Sequence, residues 1–212
     1  MPQSETFPRG NAVQALLKMS RLIDAVTDFI GRQVYWLTLV AVLVSSGNAM
    51  IRYLFDNSSN AWLELQWYLF SAVFLLCGGY ALLHGQHVRI DVIYSRFSRR
   101  VQLYIDVFGT VFFLLPTAVL LGYLSWPVFV NAYVGGEVSS NAGGLIVWPA
   151  RLLVPIGFLL LAVQGVSELI KRIAIIRGLI PDPAETGHGP TAEEELARAI
   201  AEAREQQAKT AN

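Results

Sequence analysis

"LQWYLFSAVFLLCGGYALLHGQHV", residues 65–88, runs for 24 positions without a charged side chain. As a helix it reaches about 36 Å, enough to cross a hydrocarbon core of about 30 Å. Charge returns at once in "RIDVIYSRFSRR", where Arg89, Arg96, Arg99 and Arg100 crowd around Asp91. An oily segment ending in a basic cluster is the pattern of a span meeting the membrane surface. The whole composition agrees: 54% of the 212 residues are hydrophobic and 15% are charged, where soluble domains average about 25% charged. Mean hydropathy is +0.45.

Other charge-free windows complete the set. Gln33–Ile51 is long enough for a span, and Val107–Gly136 is longer than one crossing needs, with Pro116 and Pro127 as candidate kinks and the excess assigned to tilt or emergence. Leu152–Ser167 suffices once extended back to Leu145, with Arg151 snorkelling to the interface. The expected fold is an all-α integral membrane protein with four transmembrane helices at about 33–54, 61–84, 101–127 and 145–172.

Lysine and arginine alternate across these spans. Arg9, Lys18, Arg21 and Arg32 precede the first, the 89–100 segment follows the second, and Lys171, Arg172 and Arg177 follow the fourth. The other side holds only Arg52 and Arg151. The positive-inside rule then puts both termini in the cytoplasm. Asn11–Arg32 has Val13, Leu16, Leu17, Ile23, Val26 and Ile30 at helical spacing, so residues 1–32 are expected to carry an amphipathic helix lying in the interface. Asp24 and Asp28 break any signal-peptide pattern there. After residue 177, Pro181, Pro183 and Pro190 with Gly187 and Gly189 introduce a flexible or partly helical tail, residues 178–212.

Several function classes find no footing. Net charge is zero, which argues against a nucleic-acid partner. Cys77, the single cysteine, sits within an apolar run and reads as packing. His84, His87 and Asp91 share a helical face, but no further histidine or cysteine cluster completes a metal site, and His188 lies in the tail. No other span offers a histidine for bis-histidine haem ligation. No nucleophile–base pair or phosphate loop appears, so no enzyme is expected.

Glu64 is the sharpest anomaly. It stands between Trp62 and Trp67 at one end of the second span, either in water or bonded to another segment, with Arg52 and Arg151 as candidate partners. Asp106 and Glu168, near Arg99, Arg100, Lys171 and Arg172, suggest an ion-pair layer at the other end. No span carries a carboxylate near its middle, where an ion-coupled carrier needs ligands. Gly135, Gly136, Gly143 and Gly144 around Ser139, Ser140 and Asn141 make a loop, after which Trp148 anchors the interface and Pro149 suits a first helical turn.

These motifs together resemble a known family. Glu64 opening the second span, "GQHVRIDVIY" after it and "SSNAGGLIVWPARLLVPIGFLLLAVQGVSELIKR" at the end are similar to the small, DctQ-type membrane subunit of tripartite ATP-independent periplasmic (TRAP) transporters, collinearly over about residues 20–177. Gly85, His87, Val88, Arg89 and Asp91 match its signature; Ile146 departs from the proline common at that place in one branch. The resemblance implies a scaffold in the bacterial inner membrane, bracing a large elevator-type subunit that holds substrate and sodium. It also implies a periplasmic substrate-binding protein that delivers an organic, typically carboxylate, solute. This subunit would hold no cofactor and no substrate, and would touch lipids and its partners. Glu64, Trp62, Trp67, His87, Arg89, Asp91, Trp148 and Arg151 would make scaffold or subunit contacts. The competing reading is a membrane anchor of a respiratory oxidoreductase.

Overall fold

A computed structural model describes residues 11–56, 59–85 and 97–182. Its helices are α1 (Asn11–Phe55), α2 (Asn60–Leu83), α3 (Arg99–Gly109), α4 (Leu115–Val134) and α5 (Trp148–Ile176), with a single π turn, Thr110–Leu114, joining α3 to α4. Counting Arg99–Val134 as one rod, four helices are long and apolar enough to cross a membrane. Among the described residues the only extended pairing is one antiparallel bridge, Val138 with Ile146. His87, Arg89 and Asp91, and the tail from 183 onward, lie outside the described residues.

α5 is the hub, packing on α1, α2 and α4. Small residues let it do so. A β-carbon on Gly157 would fall 2.8 Å from Leu75 Cβ and 2.9 Å from the Leu75 carbonyl oxygen, so α2 and α5 touch backbone to backbone there. Gly79 of α2 sits where Thr27 of α1 and Leu160 of α5 converge. Such close approach is how helices gain dispersion contacts when lipid tails offer no hydrophobic drive. At Gly165 the intruders are Leu114 and Leu115, delivered by the π turn. The turn also prepares for Pro116, whose missing N–H and ring cannot join a regular helix unassisted. Pro127, a candidate kink, lies inside the continuous α4.

The structure changes the reading of residues 11–32. No break separates them from the first span: α1 is one helix of 45 residues, about 67 Å long. Its inward stripe is Leu17, Ser20, Thr27, Gly31, Val34, Ala41 and Asn48, all buried, with Asp24 partly so. The spacing alternates threes and fours, the period of helices packed side by side. Ser20, Asp24 and Thr27 therefore face the protein, while Leu16, Leu22, Val26 and Phe29 face outward at 47–66% exposure. Of the six apolar residues chosen from the sequence, Leu17 is buried, Val13, Ile23 and Ile30 are half-buried, and Leu16 and Val26 are exposed.

Two span boundaries also move. The third helix runs to Val134 rather than 127, and the fourth begins at Trp148 rather than 145. Leu145 cannot start a helix because its carbonyl accepts from Ser139 N at 2.9 Å and its N–H is bound by Glu64. Pro149 occupies the first turn of α5 instead.

Candidate functional site

The structure gathers polar chemistry at the two ends of the bundle. At one end the 135–147 loop folds back over the start of α2. Val147 N donates to Glu137 O at 3.0 Å and Gly144 N to Asn141 O at 3.0 Å, closing a tight hairpin. Gly143, at φ 70°, takes the left-handed turn, and a β-carbon on Gly144 would strike Ser139 Cβ at 2.5 Å.

Glu64 is the clamp for this hairpin. Its Oε1 accepts from the Ser139 hydroxyl and from Asn141 Nδ2 at 2.8 Å, and its Oε2 accepts from Leu145 N at 2.7 Å. Asn60, one turn earlier, donates to Ala142 O at 3.0 Å, and the Tyr68 hydroxyl, one turn later, donates to Ile146 O at 3.2 Å. One face of α2 thus grips the loop at three successive turns. Arg151 is not the partner of Glu64; it forms a two-pronged pair with Glu137, Nη2 to Oε1 2.6 Å, which ties the loop to α5 as well. Arg52 does not reach Glu64 either and lines a separate cleft. A search by opposite charge missed that hydroxyl, amide and backbone donors satisfy a carboxylate as well as a cation does.

The aromatic residues divide. Trp148 packs edge-on against Tyr133, ring centres 5.5 Å apart at 89°, and lies 6.5 Å from Phe129, so it staples α4 to α5. Trp62 and Trp67 are 44% and 73% exposed and free to meet lipid or a partner.

At the other end, the buried core of α1 and α5 is polar. Ser20 Oγ and Ser167 Oγ lie 2.8 Å apart. Asp24 Oδ1 accepts from Ser167 Oγ at 2.7 Å and from Gln164 Nε2 at 2.9 Å, and its Oδ2 from Lys171 Nζ at 3.1 Å. Lys171 also holds Glu168, and Arg172 bridges Glu168 to Asp106 of α3. The expected layer of ion pairs is present, and it reaches deeper than the sequence reading placed it. Gln164 and Ser167 are wholly buried, and Gln164 Oε1 has no partner. The readable signal was a lone glutamine amid "LLLAVQGV". His84 stacks on Tyr80 with centroids 4.1 Å apart, and its Nε2 lies 3.7 Å from Asp28. It caps the α1–α2 contact, while His87 and Asp91 lie outside the described residues.

The arrangement is one of internal cross-links: a clamped loop at one end, a polar lattice at the other, apolar helices between. A family model for tripartite ATP-independent periplasmic transporters, DctQ component, matches residues 21–174. The chain belongs to the DctQ family. Its matched segment begins within the polar stripe of α1 and ends near the last turn of α5, so both cross-linked ends fall inside it. No curated protein matches the chain. As a DctQ component it is a small transport subunit, a multi-pass protein of the inner membrane, and the comparison lends no support to an oxidoreductase anchor.

Proposed function

We propose that this DctQ protein is the fixed scaffold subunit of a sodium-coupled transporter, bracing a large elevator-type membrane subunit that takes up an organic, carboxylate-class solute. A periplasmic binding protein delivers the solute on the side of the 135–147 loop, and both termini face the cytoplasm. One observation carries the reading. Ser20, Asp24, Gln164, Ser167, Asp106 and Arg172 tie α1, α3 and α5 to one another, which makes a wall rather than a pathway. The tight glycine contact at Gly157 resists sliding of α2 on α5.

In this frame Glu64 shapes the loop for the binding protein, and exposed Trp62 and Trp67 seat the subunit against lipid and partner. His87, Arg89 and Asp91 serve docking on the cytoplasmic side, Trp148 and Arg151 hold the outer ends of α4 and α5, and substrate and sodium bind elsewhere. Reconstitution in liposomes tests the scheme. Uptake of the solute presented by the cognate binding protein is expected only when this chain and the large subunit are both present. Flux through this chain alone, or full uptake by the large subunit without it, would overturn the proposal.

A further inference from the structure

At the loop end of the α1–α2 pair lies a cleft of about 690 Å3 that the scaffold role does not use. Asn48 and Arg52 line it from α1, about 6 Å apart along the axis, and Asp56 lines it just past the end of the helix, at φ 53°. Ser45 stands at its floor, where its hydroxyl takes a hydrogen bond from Gln66 Nε2 of α2 at 3.1 Å. Asn48 is only 8% exposed, yet its Oδ1 has no hydrogen-bond partner. The donor end of that amide is Nδ2, from which a ligand carbonyl in the cleft would accept. Arg52 and Asp56 are exposed, and neither forms an ion pair among the described residues.

Asn48 also borders a second groove, about 240 Å3, formed with Leu43, Val44, Gly47, Ile51 and Trp62. A β-carbon on Gly47 would meet nothing within 4 Å, so the floor of that groove is open. Read along α1 toward its end, the surface is apolar, then a neutral amide, then a cation, then an anion. A phospholipid with a phosphoethanolamine headgroup has that order: acyl chain, ester carbonyls, phosphate, ammonium. Choline lacks the N–H donors that a carboxylate accepts, and a glycerol headgroup gives Asp56 no charge to pair with.

We propose that the cleft binds one phosphatidylethanolamine molecule, its phosphate on Arg52, its ammonium on Asp56, an ester carbonyl accepting from Asn48 Nδ2 and an acyl chain in the Leu43–Val44–Gly47 groove. The apolar groove commits the site to the lipid rather than to the free headgroup. Lipid retention fills the seam between α1 and α2.

Native mass spectrometry of the full chain tests this, after delipidation and return to equal mixtures of phosphatidylethanolamine, phosphatidylcholine and phosphatidylglycerol with matched acyl chains. One phosphatidylethanolamine should be retained about tenfold over either competitor, and Arg52→Gln should weaken it about tenfold, the effect of losing one charge-assisted contact. Asp56→Asn should erase the preference for ethanolamine over choline while a lipid still binds. Both side chains are exposed, so neither change threatens folding. Equal retention of the three lipids, preference for phosphatidylglycerol, or an unaffected Arg52→Gln variant would each overturn the assignment. So would displacement by soluble phosphoethanolamine, or release of the lipid when the large subunit binds, which would give the cleft to that subunit.

Discussion

Replacing Asp24 separates a helix that packs by its polar stripe from one that lies apart at a membrane surface. Asp24→Ala removes the acceptor for Gln164 Nε2, Ser167 Oγ and Lys171 Nζ, at 2.9, 2.7 and 3.1 Å. Hydrogen bonds between helices in membranes are worth about 0.6 kcal/mol on average and up to about 1.7, so three sum to roughly 2–5 kcal/mol. Ser167 keeps Ser20, and Lys171 keeps Glu168, which draws the expected loss toward about 2–3 kcal/mol. For a chain of this size that lowers Tm by about 4–12 °C. Asp24→Asn retains one acceptor and should lose about half as much. A second substitution isolates the pair: with Asp24 already alanine, Lys171→Met should cost less than it does in the natural chain, because one of its two carboxylate partners is gone. Thermal unfolding in detergent, followed by tryptophan fluorescence, reads all five proteins. A Tm within 1 °C of the natural chain for Asp24→Ala, or full additivity with Lys171→Met, would refute the packing of α1 on α5.

Three further outcomes are expected. Gly157→Leu should force α2 from α5, since even a β-carbon meets the Leu75 carbonyl at 2.9 Å; overpacking of about 1–3 kcal/mol would appear in the same melt, whereas Gly78→Leu, with open space at its β-carbon, should be close to neutral. Glu64→Ala should free the hairpin without unwinding α2: hydrogen exchange at the Leu145 amide should quicken about tenfold or more while the helices keep their protection. Arg89→Ala or Asp91→Ala should reduce co-purification with the large subunit; intact complexes that no longer transport would assign those residues a direct role instead.

The four spans were legible because charge is excluded from a hydrocarbon layer by several kcal/mol per group, and a gap in charge is easy to see. What packed against what was not. For α1 the reading followed bulk hydrophobicity, grouping Leu16, Leu17 and Val26 on one interfacial face, although the threes and fours linking Leu17, Ser20, Asp24, Thr27, Gly31 and Val34 were present in the letters. Choosing between the two stripes requires knowing the solvent for that stretch, which local sequence does not state. Glu64 stood out, but its partners were sought among arginines. The hydroxyl, amide and backbone N–H that hold it come from a hairpin 75–81 residues away, and only the loop's glycines hinted that it could fold so tightly. Gln164 passed unremarked because one amide in an apolar run says nothing of burial until Asp24 is seen opposite it.

The scaffold claim is tested most directly by freezing the bundle and asking whether the transporter notices. Ser20 and Ser167 face each other with hydroxyls 2.8 Å apart, close enough for a cysteine pair to bridge with little backbone movement. The Ser20→Cys/Ser167→Cys chain, made in a Cys77→Ser background and reconstituted with its large subunit and binding protein, should take up solute at the same rate oxidised as reduced. Uptake that stops on oxidation and returns with reductant would show that α1 and α5 move in the cycle, and the fixed-wall account would be wrong.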